Sequence, residues 1–185
     1  MQKDSISRSQ GGAALAETPE TDRSNLGGKY LTFALAGEEY GLEILKVREI
    51  IGLMDITPVP RAPEHIRGVI NLRGKIIPVI DLRKKFGMPS TEDTDETCII
   101  VVDVTSEGHS VDMGILVDSV SEVRDIVDQD IDPPPSFGSE VDTNFILGMA
   151  KADGAVKILL AIEKALSRRE LALSANGAIQ AADLE

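Results

Sequence analysis

One hundred and eighty-five residues, 42% of them hydrophobic, suffice for a substantial core in one domain or in two small units that share chain crossings. The single cysteine, Cys98, excludes an internal disulfide and fits a reducing compartment, no apolar run reaches the roughly 20 residues of a membrane span, and the N-terminus lacks a basic-then-apolar export pattern. A cytoplasmic protein without direct membrane insertion is expected, and its net charge of −12 with 3% aromatic residues opposes a nucleic-acid partner.

The charge is unevenly placed. From Asp81 to Asp142 there are 16 acidic and 4 basic residues, a difference of −12, and the remaining 15 acidic and 15 basic residues cancel. An anionic run of this kind ordinarily solubilises a surface.

Residues 1–28 have mixed charge and no apolar periodicity, which predicts a disordered leader with order from Lys29. Tyr30, Leu31, Phe33 and Leu35 alternate loosely, Gly37-Glu38-Glu39 reverses the chain, and Tyr40-Gly41-Leu42 begins the return of a hairpin. Leu42 to Val47 reads as a helical turn leading into a strand that runs to Leu53. Three prolines within 58–63 make an extended crossing loop.

The stretch from Arg67 to Gly87 carries the densest local information. Val69-Ile70 and Ile76 to Ile80 read as two strands, and Arg73-Gly74 supplies the positive φ of a tight reversal. Pro78 removes a ladder donor, which places it at an edge, at a bulge or where its amide faces outward. Asp81 then caps a short helix, Leu82 to Phe86, stopped by Gly87.

A polar, acidic linker is expected near residues 88–97. Beyond it, Cys98 to Val104 forms a continuous apolar strand, Ser106-Glu107-Gly108 reverses it, Val111 to Val117 returns, and Val120 to Val127 reads as another strand. After the turn-rich Asp132-Pro133-Pro134-Pro135, strands Phe145 to Ala150 and Val156 to Ala161 flank Asp153-Gly154, a strong hairpin signal. Ile162 to Leu173 has a helical apolar face, and 174–185 reads as a frayed tail. Nine or ten short strands joined by tight turns predict a mainly β protein of two small barrels, each marginal alone and therefore packed together.

Catalytic and metal chemistry find little support. His65 and His109 have no His or Cys at ligand spacing and read as ordinary surface residues. Cys98 opens an apolar strand without a nearby base and reads as a buried, inert thiol. Glu38 and Glu39 sit together in the expected turn and do not make an acid and base pair. Arg83, Lys84 and Lys85 read as the solvated face of the short helix. Arg73 stands apart: the hairpin tip needs Gly74 but has no need of a guanidinium, so Arg73 reads as a contact residue for a carboxylate.

Taken in order, Gly37-Glu38-Glu39-Tyr40-Gly41-Leu42, Ile44 to Ile50, Pro63 to Val69, Asn71-Leu72-Arg73-Gly74, Ile77 to Arg83, Gly114 to Val123 and Ile162-Glu163-Lys164 closely resemble the CheW-type coupling proteins of bacterial chemosensory arrays. The likeness spans about Lys29 to Leu173. It implies two five-stranded SH3-like barrels side by side, no enzymatic activity and no cofactor. It further implies two partners, the regulatory domain of the histidine kinase CheA and the cytoplasmic tips of chemoreceptors, with other CheW-like domains alternating in rings at the arrays. The groove between the barrels would take the receptor hairpin. By match, its lining here is Val47, Glu49, Gly68, Cys98 and Val120, with Arg73 at or near the receptor and kinase contacts.

Overall fold

Four hairpins turn on the same two-residue device. Ala36-Gly37, Arg73-Gly74, Glu107-Gly108 and Asp153-Gly154 all hold positive φ at both positions, the backbone that matches the twist of tightly joined antiparallel strands. The computed structural model describes residues 25–138, 141–166 and 170–171. The hairpins join β1 (Gly28–Leu35) to β2 (Glu38–Glu43), β4 (Ile66–Leu72) to β5 (Lys75–Asp81), β6 (Cys98–Ser106) to β7 (His109–Val117), and β10 (Ile146–Ala152) to β11 (Ala155–Leu160). The first reversal is centred one step earlier than expected, so Glu38 and Glu39 open β2.

The remaining strands are β3 (Val47–Gly52), β8 (Ser119–Ile126) and the two-residue β9 (Ile131–Asp132). Two sheets result, ordered β8-β1-β2-β11-β10-β9 and β3-β6-β7-β5-β4. The chain starts in the first sheet, builds the whole second sheet, and returns to finish the first. The second has the expected five strands, and β9 makes a sixth in the first.

A wrapping chain closes each sheet. Beyond β3, Thr57 reaches the free edge of β4 and exchanges two hydrogen bonds with Val69, each 2.9 Å. Beyond β8, a helical turn at Asp128–Asp130 carries the chain to β9, which pairs with β10 at the opposite edge. The Asp128 carboxylate accepts the N–H of Leu26, so the ordered fold includes residues assigned to the leader by sequence. Residues 1–24 lie outside the described residues.

Closure fixes two special backbone positions. A Cβ on Gly68, whose φ is +146°, would stand 2.2 Å from the Thr57 carbonyl oxygen, so only glycine lets the strap approach. Pro78 is not on an edge, since β5 lies between β4 and β7. Its partner Val69 directs both N–H and C=O to Thr57, which makes Val69 and Pro78 a non-hydrogen-bonded pair, and the parallel ladder to β7 starts at Val79. The missing donor falls where no ladder bond is due.

The largest core lies between the barrels. Leu31, Phe33, Leu35 and Leu42 from the first sheet meet Ile100, Val102, Val104, Met113 and Ile115 from the second. Each barrel keeps a smaller cluster of its own, Ile70, Ile77, Val79, Ile99 and Val101 in one and Tyr30, Ile126, Ala150 and Leu159 in the other. The apolar run 98–102 of β6 is thereby explained: Ile99 and Val101 fill its own barrel, and Cys98, Ile100 and Val102 fill the shared layer. A column of rings, Phe33, Tyr40, Phe86 and Phe145, extends that layer with centroid spacings of 5.8, 6.3 and 5.1 Å.

Asp81 caps α1 (Leu82–Lys85) by accepting the N–H of Lys84, and Gly87 follows with φ +70°. The basic residues of α1 are not a solvated face. Arg83 pairs with Asp118, Lys84 approaches Glu64, and Lys85 binds Glu170. Glu170 is buried and also meets His65, which is therefore no ordinary surface residue. Among the described residues of the expected C-terminal helix, α2 (Ile162–Ala165) is a single turn, Leu166 is extended, and Glu170 and Leu171 are helical. Residues 167–169, the last two expected residues and the tail lie outside the described residues.

Two stability predictions follow from this packing. Gly68→Ala should lower unfolding free energy by about 1–3 kcal/mol through overpacking, whereas Gly74→Ala, with nothing within 4 Å of its Cβ, should cost about 1 kcal/mol of backbone strain. Urea titration separates them, and equal losses would contradict the closure role of Gly68. Lys157, whose side chain is 8% exposed, pairs with Glu39, so Glu39→Ala should destabilise by more than the about 0.5 kcal/mol of an ordinary surface change. An unchanged urea midpoint would show that water reaches the lysine.

Candidate functional site: an ion pair and a seam between barrels

Arg73 is 74% exposed and stands at the tip of the β4–β5 hairpin with φ +52°, an unusual conformation for a non-glycine residue. Asn71 braces the turn by accepting the N–H of Gly74 at 2.9 Å. The guanidinium does find a carboxylate, but within its own chain. Arg73 Nη1 and Nη2 donate to Glu49 Oε1 and Oε2 at 2.7 and 2.8 Å.

This fork-to-fork pair connects the two edge strands of the second barrel, β3 and β4, on the hairpin side, as the Thr57 bridge does on the loop side. The hydrogen bonds from Arg73 hold the Glu49 carboxyl below the ordinary carboxylate range, and Glu49 raises the Arg73 pKa in return. Two of the five guanidinium N–H groups are used, which leaves donors facing solvent. Arg48 binds Asp103 and Asp112, and Lys75 also binds Asp112, so ion pairs border the site. Ile50 and Ile76, next in sequence to Glu49 and Lys75, remain 44% and 42% exposed. A partly unsatisfied guanidinium on an exposed hairpin tip of a barrel that also exposes apolar side chains suits a protein partner better than a small metabolite.

Val47, Cys98 and Val120 all border the shared core, with Val47 opposite Val102 and Cys98 opposite Gly52 at the two ends of the β3–β6 ladder. Val47 and Val120 are half-buried against the shared core, of which Cys98 is a member. Burial pushes the Cys98 thiol up, opposed by the backbone N–H of Val120. Gly68 belongs to neither group, because its neighbours are Thr57 and Ile56 and its role is closure.

Sequence reasoning passed over Asp118, the one residue between β7 and β8 and thus the return crossing between sheets. Its carboxylate accepts Arg83 Nε and Nη2, both at 2.6 Å, and the N–H of Ala36 at 2.8 Å. Burial opposes its charge, yet these bonds hold its pKa below the ordinary value. The signal was present as an acid ending the apolar run 111–117, but its partner lies 35 residues away. Among the described residues, no group of three or more His, Cys, Asp or Glu side chains is arranged to hold a metal ion. No helix among them is long and apolar enough to cross a membrane.

Comparison with known proteins agrees with this architecture. The family model of the CheW-like domain matches residues 29–170. The chain is 39% identical over 164 residues to the chemotaxis protein CheW of Klebsiella aerogenes, covering 89% of this chain and 96% of that protein. It is 34% identical over 147 residues to the chemotaxis protein CheW of Rhizobium meliloti, covering 80% and 92%. Among solved structures, the scaffolding protein TtCheW from Thermoanaerobacter tengcongensis superposes with a TM-score of 0.67 at 41% identity, over 76% of this chain and 92% of that one. With its two packed barrels and a match across nearly all of the described residues, the chain belongs to the CheW-like family of chemotaxis scaffold proteins.

Proposed function

We propose that this chain is a non-enzymatic adaptor that couples chemoreceptors to the histidine kinase CheA in a cytoplasmic chemosensory array. The observation that carries the proposal is the Arg73–Glu49 pair, a preformed fork of charge at the rim of the second barrel with spare donors, on a barrel that also exposes Ile50 and Ile76. An amphipathic helical hairpin from a receptor tip presents both an apolar stripe and carboxylates, the chemistry such a rim accepts. The seam at Val47, Cys98 and Val120 gives the same hairpin a surface drawn from both barrels. The regulatory domain of the kinase, itself CheW-like, would dock on a barrel end, and repetition of that contact would build rings.

Isothermal titration with a receptor-tip hairpin and with the kinase regulatory domain tests the reading. Saturable binding of both is expected, and absence of both from a folded protein would overturn it. Arg73→Ala should weaken at least one of the two interactions by about tenfold, equivalent to about 1.4 kcal/mol. The same change should leave the urea midpoint nearly unchanged, because the Arg73 side chain is exposed. Carboxyl NMR titration adds an internal check. Glu49 should titrate below the ordinary carboxylate range in the unmodified protein and return toward it in Arg73→Ala. An unmoved titration would mean that the pair does not form in solution.

A further inference from the structure

The shared core packs Leu31, Phe33, Leu35 and Leu42 against Ile100, Val102, Val104 and Ile115, and apolar attraction of this kind is non-directional. Polar contacts add direction, and besides those of Glu170 with Lys85 and His65 one set lies where the chain returns to the first sheet. At the return crossing, Asp118 is tied to the first barrel twice, through its N–H to the Ala34 carbonyl at 3.2 Å and through its carboxylate to the Ala36 N–H at 2.8 Å. Its link to the second barrel, apart from the chain itself, is Arg83. That side chain rises from α1, directly after β5, and is only 17% exposed. It grips both carboxylate oxygens of Asp118 and donates a further bond to the Pro89 carbonyl at 2.9 Å. Two residues beyond Asp118 lies Val120, half-buried against the shared core to which Cys98 belongs.

We propose that Arg83 is a positioning residue: through Asp118 it sets the relative orientation of the two barrels, and with it the shape of the seam at Cys98 and Val120, without touching a partner itself. The bidentate geometry matters because two parallel bonds resist rotation about either one, which a single ammonium contact does not. Binding that draws on both barrels should depend on this angle, and binding at one barrel end should not. The second half of that statement rests on the function proposed above.

Residual dipolar couplings of the backbone amides give the orientation directly and need no partner. In the unmodified protein one alignment tensor should fit both barrels. In Arg83→Met each barrel should require its own tensor, and Arg83→Lys, which keeps the charge but not the fork, should fall between and serves if the methionine variant does not fold. A single shared tensor in the substituted protein would overturn the proposal. Titration then reads the consequence: receptor-hairpin affinity should fall about tenfold while kinase-domain affinity stays within about twofold, because preorganisation is lost only for the two-barrel partner. Equal losses for both partners would overturn the positioning role in favour of general destabilisation. Failure of the unmodified protein to bind either partner would instead overturn the proposed function, and the tensor comparison would still decide the role of Arg83.

Discussion

The rest of the structure depends on one apolar layer buried between two barrels. Strands β6 and β7 have no solvent face along most of their length, because one side fills the second barrel and the other packs on β1 and β2 of the first. A barrel of about 70 residues buries too little of its own surface to be secure alone. Sharing the layer removes that weakness, and because the second sheet is inserted between β2 and β8, the first barrel is completed only after the chain has passed through the second. The two-residue reversals keep the strands short and regular enough for such packing.

Much of this was legible in the sequence, for identifiable reasons. Arg73-Gly74 and Asp153-Gly154 announce their hairpins, since few other sequences tolerate two successive positive φ values. The stretch Cys98 to Val104 reads as an apolar strand, and Asp81 three residues before Lys84 reads as a cap. What local pattern could not give is partners distant in sequence. Glu49 lies 24 residues from Arg73, Asp118 lies 35 from Arg83, and Glu170 lies 85 from Lys85. Arg83 and Lys85 look solvated until the chain closes, whereas Arg73 reads as a carboxylate contact without a named partner. Pro78 misleads in the same way, because its tolerance comes from Thr57, in a loop outside the hairpin that contains it.

The ion pairs also change how the acidic middle of the chain is understood. Asp103, Asp112 and Asp118 are half-buried acids bound to Arg48, Lys75 and Arg83, which stand outside or at the start of the acidic stretch. These acids organise the surface between strands as well as solubilise it. Arg73 belongs to the same scheme, yet it differs from the others by its exposure and by its place on a strained turn. A guanidinium already oriented by Glu49 loses less side-chain freedom when a partner arrives. Recognition and folding thus use one residue, and neither role excludes the other.

An adaptor must hold two partners at once, so simultaneous occupancy is the most direct test of the account. The measurement is titration of the kinase regulatory domain into this protein already saturated with a receptor-tip hairpin, followed by sedimentation to read the mass of the complex. A ternary species, with kinase-domain affinity no weaker than without the hairpin, is the result the account predicts. Displacement of one partner by the other would contradict it, because two ligands competing for one surface cannot be coupled through the protein between them.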